Sequence, residues 1–238
     1  MKRRPSRLAI AAVVLVPAFC TIALLAFGYR GPEAGAARSA VDWVDAAVRL
    51  GTRNVVSAIY LNVRLFDTLL EVLVFSVAVL GVHFYLTARG EAEKVESIPE
   101  SGVVRVAADV LMPLILLVGA YVTVYGHLSP GGGFSGGVIA ATGLLLTALA
   151  IGTRAVTDRV GHRFLDRLEW VALLGILVVA VLPALLGRSP LVELLPPGTP
   201  GRLGSSGSTL LYNALIGIKV FAGSWIIVRH FVDHRGEI

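Results

Sequence analysis

An all-α polytopic membrane protein is the fold class this sequence predicts, and three observations carry that expectation. Hydrophobic residues make up 55% of the 238 residues and charged residues only 16%, where ordinary soluble domains carry about 25% charged residues. The mean hydropathy is +0.78. The apolar residues gather into six stretches of roughly 20, the length an α-helix needs to cross a hydrocarbon core.

Taken in order, the first stretch covers residues 8–29 and is preceded by Lys2, Arg3, Arg4 and Arg7. That flank resembles a signal-peptide n-region. The apolar run is long for an h-region and has no obvious small-x-small cleavage site, so it is read as a retained anchor. Residues 30–67 follow, with Val41, Val44, Ala47 and Val48 at helical spacing opposite Asp42, Asp45 and Arg49, the pattern of a short amphipathic helix lying along the interface. The second stretch is 68–87 and the third 103–125. The fourth, fifth and sixth are 134–153, 168–187 and 209–231.

Two connections stand out by composition. Residues 89–101, with Glu91, Glu93, Lys94, Glu96 and Pro99, form the clearest linker, dividing the chain into a two-helix part (1–98) and a four-helix part (99–238). Residues 188–208, rich in Pro, Gly and Ser, are expected to be an exposed connection available to a neighbouring protein of the same complex. No internal repeat is visible.

The net charge of +5 comes mainly from arginines at the ends of apolar runs, a distribution that sets orientation in a membrane and does not point to nucleic acid. Counting them places both termini in the cytoplasm of a cell-membrane protein and turns the 126–137 bend outward, although Arg30, Arg38, Arg49, Arg53 and Arg64 work against that orientation. The single cysteine, Cys20, excludes an intrachain disulfide and a cysteine cluster for iron-sulfur or zinc. No cofactor and no metal are expected.

Between the third and fourth stretches runs Gly126-His127-Leu128-Ser129-Pro130-Gly131-Gly132-Gly133-Phe134-Ser135-Gly136-Gly137. A phosphate-binding loop is ruled out, because no Gly-Lys-Ser/Thr and no preceding strand accompany the glycines. The glycines instead suit a tight bend, with Gly136, Gly137 and Gly143 allowing close approach of the fourth helix. Irregular backbone at membrane depth requires protein or water to satisfy its polar groups.

Leu111-Met112-Pro113-Leu114-Ile115-Leu116, Gly119-Ala120-Tyr121, Tyr125-Gly126-His127 and Pro130-Gly131-Gly132-Gly133-Phe134 with Gly136-Gly137 resemble the signature of the B subunit of Mrp-type multisubunit cation/proton antiporters. The matching subunit of membrane-bound hydrogenases shares it. Asn213-Ala214-Leu215-Ile216-Gly217-Ile218-Lys219-Val220-Phe221-Ala222-Gly223 resembles the last helix of the same family. In the first part, Asn54-Val55-Val56-Ser57-Ala58-Ile59-Tyr60, Arg64 and Phe66-Asp67-Thr68-Leu69-Leu70-Glu71 resemble the C-terminal segment of the antiporter A subunit, which in hydrogenases is a small protein of its own. The family pattern has Arg-Gly before the aromatic residue and Gly before the acid, where this chain has Arg64-Leu65 and Leu70. The resemblance implies a fusion of two modules working among other subunits of a hetero-oligomeric membrane complex, in contact with lipid, with Na+ and H+ as the transported ions. It implies a transporter subunit rather than an enzyme, with a redox-driven complex and a purely structural scaffold as the alternatives.

Five ionisable residues are the candidates for an ion or proton pathway. Glu71 in a spanning stretch costs about 2.5 to 3.5 kcal/mol to insert and calls for protein, water or a partner charge around it. Asp67, four residues earlier, shares its helix face but suits a helix cap better than a relay site. Lys219 lies near the middle of the sixth stretch, too deep to snorkel, so it needs an acid, a carbonyl cluster or a hydrated passage. His127 can shuttle protons or donate to carbonyls of the bend. His83 either lines a route from Glu71 or sits in the interface. Asp109 is expected to pair with Arg105, Glu169 to lie at an interfacial helix start beside Trp170, and Tyr121 with Tyr125 to join an aromatic belt.

Overall fold

The computed structural model describes residues 40–88, 102–188, 191 and 193–233. The expected anchor at 8–29 and the linker at 89–101 fall outside these. The described residues form eight α-helices and no strand: α1 (Ala40–Arg49), α2 (Val55–Ala58), α3 (Leu65–Ala88), α4 (Gly102–Val124), α5 (Gly133–Ile151), α6 (Thr153–Val160), α7 (His162–Leu185) and α8 (Ser208–Asp233). A five-residue π-helical segment, Ile59–Val63, joins α2 to α3.

Among the described residues, five helices are long and apolar enough to cross a membrane, through Leu65–Leu86, Gly102–Val124, Gly133–Ile151, Arg163–Leu185 and Ser208–Val232. The chain is therefore a multi-pass membrane protein, and these spans match the second to sixth stretches read from the sequence. α1 also forms where the amphipathic pattern placed it, with Asp42 in its first turn and Arg49 in its last, both favourable to the helix dipole. Its Ala47 is buried, while Val44 and Val48 stay about half exposed.

Two boundaries differ from expectation. α7 begins at His162, not near Leu168, so Glu169 lies two turns inside it. The short α6 was not anticipated. Both follow from Gly152 (φ +87°) and Gly161 (φ +86°), which supply left-handed backbone that ends one helix and starts the next. Between them α6 turns Val156 and Thr153 inward.

α8 occupies the centre, against α5, α7, α3 and α4. Its Tyr212, Ile216 and Val220 meet Leu61, Leu65, Leu69 and Val72 on one side and Leu173, Ile176 and Val179 of α7 on the other. Further along, Ala222 and Trp225 pack with Leu144, Ala148, Val156 and Leu165. The segments before and after the 89–101 linker thus share one core.

Lipid is as apolar as leucine, so helix association here rests on close packing of small residues rather than on exclusion of water. A Cβ on Gly137 would stand 2.6 Å from Gly217 O and 2.8 Å from Val220 Cβ of α8. One on Gly136 would strike Thr123 Oγ1 and come within 2.6 Å of Gly119 O of α4. Gly136 and Gly137 therefore bring α5 against two helices at once, as the glycine pattern predicted. Gly143 has more room, 3.3 Å from Ile115.

The 188–208 connection corrects the sequence reading, because it folds inward in part. Leu191, Ser205, Ser206 and Ser208 are buried. Ser206 N donates to Pro197 O (2.7 Å), Ser206 Oγ to Gly51 O (2.9 Å) and Ser208 N to Glu193 Oε2 (2.7 Å). These bonds hold Ser206 at φ +71°.

Candidate functional site

Lys219 is fully buried, and its Nζ bonds to Oε1 of Glu169 on α7, whose side chain is only 5% exposed. The acid that the lysine's depth demanded is thus supplied within the same chain. Glu169 is not at an interfacial helix start as expected. The earlier beginning of α7 carries it about 10 Å along the helix, at 1.5 Å per residue, to face α8. The lysine Nζ also stands 5.5 Å from the ring centroid of Phe75 on α3. Three helices therefore meet at one buried charged pair.

Glu71 lies one helical turn before Phe75 and is exposed on the outside of α3. Its neighbours along that face, Val74, Ala78, Gly81 and Tyr85, are exposed too. Its charge acts on Tyr60, whose hydroxyl is pushed above its usual pKa first by burial and then by Glu71, with Ser57 opposing. Asp67 lies inside the first turn of α3, so it is not the N-cap; it pairs with Arg64 in a largely solvated contact.

The glycine-rich bend is stitched to the segments that precede α3 and to α8. Asn54 Oδ1 caps α2 by accepting from Val56 N and Ser57 N, while its Nδ2 donates to Gly126 O (2.7 Å) and Ser129 O (2.9 Å). Asn213 Oδ1 accepts from Gly133 N (3.0 Å), capping α5, and from the Tyr60 hydroxyl (3.3 Å). Gly131 and Gly132 take φ of +152° and +147°, and a Cβ on Gly132 would collide with Tyr60 Oη. The π-helical segment leaves Tyr60 O free to accept from Thr68 Oγ1 (2.6 Å). Phe134 packs against the α3, α7 and α8 core, and Pro130 is exposed at the tip.

His127 is fully buried in this region, and among the described residues neither ring nitrogen makes a well-aligned hydrogen bond. The expected donation to carbonyls of the bend is absent. It is the carbonyl of His127 that is engaged, accepting from Arg53 N and Asn54 N (both 3.1 Å) and from Thr52 Oγ1. Burial holds the imidazole pKa below its usual value, opposed by the main-chain groups of Arg202, Val124 and Leu203. Nearby in the 188–208 connection, burial raises the Glu193 carboxyl, against the hydrogen bonds from Ser208.

At the end of the bundle opposite the bend, His83 Nδ1 of α3 lies 2.8 Å from His230 Nε2 of α8. Asp109 pairs with Arg159 of α6 at 3.8 Å rather than with Arg105, both side chains being more than half exposed. Tyr121 and Tyr125 stack with centroids 4.5 Å apart.

Of the five candidates, Lys219 is buried against Glu169 and faces Phe75, while Glu71 stands exposed on α3 one turn before Phe75. The structure sets Asp67 and His127 in separate local networks at the bend end, and His83 at the other end. Glu169, Asn213, Asn54 and His230 were not singled out as site residues. An asparagine and a lysine six residues apart in an apolar stretch were the available signal for Asn213, and Glu169 needed the true start of α7.

Comparison with known proteins follows the same lines. An uncharacterized protein of Methanocaldococcus jannaschii is 28% identical over 193 residues, covering 71% of this chain and 73% of that protein. A probable K(+)/H(+) antiporter A/B subunit of Rhizobium meliloti is 30% identical over 153 residues, 54% of this chain and 15% of that much longer protein. Among solved structures, a chain of the membrane-bound sulfane sulfur reductase, an archaeal respiratory membrane complex, is similar with a TM-score of 0.69 at 30% identity, over 94% of this chain and 96% of that one. A chain of the Mrp complex from Dietzia shares the fold with a TM-score of 0.61 at 23% identity, over 100% of this chain and 27% of that one. The family described as a domain related to the MnhB subunit of the Na+/H+ antiporter matches residues 103–226, more than half of the chain and reaching from α4 into α8, and this chain belongs to that family.

Proposed function

We propose that this chain is a membrane subunit of a multisubunit complex that exchanges a monovalent cation for protons, and that Lys219 and Glu169 form a proton-transfer station within it. The observation that carries the reading is the ion pair buried between two spanning helices, α7 and α8. Ionisable groups at such depth are costly, and they mark ion pathways in spanning segments. The pair has a donor and an acceptor in contact, so a proton arriving at one side is passed by rearranging one hydrogen bond. Glu71, one turn from the Phe75 ring that faces Lys219, is the entry group on the surface of α3, where other subunits or water cover it. Family membership and the likeness to chains of multisubunit membrane complexes support both the class and the need for partners.

The test is ion movement by the intact complex in vesicles. Glu71→Gln and Lys219→Ala are each expected to slow sodium-dependent proton movement by at least about tenfold, a small fraction of what a positioned proton carrier contributes in catalysis, while the complex still assembles. Unchanged movement in an assembled complex refutes the relay.

A redox-driven complex is the second reading, favoured by one observation. The similar chain of the sulfane sulfur reductase matches end to end, over 96% of its length. Identifying the proteins of the purified complex separates the two: iron-sulfur subunits beside this chain favour redox driving, and antiporter-type subunits alone favour exchange.

A further inference from the structure

The histidine pair at the end of the bundle opposite the bend is not used by the relay, and its geometry suggests a second kind of chemistry. His83 Nδ1 and His230 Nε2 are 2.8 Å apart, the rings are 4.9 Å between centroids and their planes are inclined by 65°. Two ring nitrogens from different helices thus lie within hydrogen-bond distance of each other. Both side chains are half-buried, and each lies within three residues of the end of its span, Leu86 or Val232. Water therefore reaches them.

We propose that His83 and His230 form a two-imidazole binding site for a first-row divalent transition-metal ion, which replaces the proton shared between them and ties α3 to α8. Imidazole nitrogen binds such an ion at about 2.0 to 2.1 Å. A tetrahedral ion therefore sets the two nitrogens about 3.3 Å apart, a separation of roughly half an ångström beyond the present contact that side-chain torsions supply. Water completes the coordination. Neutral imidazole prefers zinc, copper or nickel to magnesium or calcium, which take oxygen ligands. The bound ion would clamp the helix carrying Phe75 and Glu71 to the helix carrying Lys219.

The experiment uses the untagged full chain in detergent, freed of metal, with zinc chloride and cobalt chloride as probes and magnesium chloride as the control. Wild type is expected to bind one zinc ion in equilibrium dialysis, to show the visible absorption of tetrahedral nitrogen-ligated cobalt, and to melt at a higher temperature with zinc. His83→Gln and His230→Gln are expected to weaken zinc binding by at least about tenfold and to lose the zinc-dependent rise in melting temperature. His162→Gln leaves both unchanged. Because a poorly folded variant also loses binding, each must match wild type in helical circular dichroism without metal. Equal zinc affinity in wild type and the two folded variants overturns the proposal, and so does wild-type protein that binds cobalt without tetrahedral absorption.

Discussion

Replacing Lys219 by methionine while keeping Glu169 leaves a carboxylate with no partner in the centre of the bundle. The lysine is 0% and the glutamate 5% exposed, so water does not compensate. Removing one member of a buried pair costs about 3 to 5 kcal/mol, whereas replacing both members by apolar residues of similar volume is close to neutral or stabilising. At about 2 to 4 °C per kcal/mol for a chain of this size, Lys219→Met or Glu169→Leu alone is expected to lower the melting temperature by about 6 to 20 °C. The double variant Lys219→Met with Glu169→Leu should regain most of that loss. Coupling of this kind comes from groups in contact or in one shared network. Melting of the purified chain in detergent, followed by circular dichroism, reads the stability cycle; proton movement by the reconstituted complex reads the function. Stable packing with lost proton movement in the double variant is the expected outcome. Single variants as stable as wild type would refute the pair, and a double variant that still moves protons would refute its role as a station.

Gly137→Val should destabilise by about 1 to 3 kcal/mol through overpacking, because the added atoms meet Gly217 O and Val220 Cβ; thermal melting checks this, and Gly81→Ala, with nothing within 4 Å, should be tolerated. Asn213→Ala removes the acceptor of both Gly133 N and Tyr60 Oη, with an expected loss of about 1 to 2 kcal/mol, measurable in the same melts. For His127, whose folded-state pKa is depressed by burial, the unfolded chain binds more protons below the ordinary imidazole value. Stability is therefore present above about pH 6.5 and is lost as pH falls toward the depressed value. His127→Gln should flatten that part of the melting-temperature profile, and a profile identical to wild type would count against a buried neutral ring.

The membrane class, five of the spans and the glycine bend were legible because each depends on local properties. Length and hydropathy suffice for a spanning helix, since its backbone bonds are internal to the segment. The bend was legible because glycine alone tolerates the backbone of Gly131 and Gly132. α6 and the start of α7 were missed because polar residues in 153–167 weaken the apolar signal, and two glycines set the boundaries. Glu169 was misplaced with them. The inward fold of 188–208 was missed for another reason: its bonds, such as Ser206 Oγ to Gly51 O, connect residues far apart in the chain.

The amino-acid sequence by itself determined that Lys219 lies too deep for solvent and that Glu71 stands in an apolar helix, since both statements need only position along a span. Which groups answer those charges was decided by tertiary structure alone. α7 and α8 run side by side and bring Glu169 to Lys219, and α3 packs beside α8 so that Phe75 faces the lysine and His83 meets His230. A charge fixes its need for a partner locally, but the partner's identity depends on which helix faces meet, and that is set by the small residues along α5 and α8 that let them close.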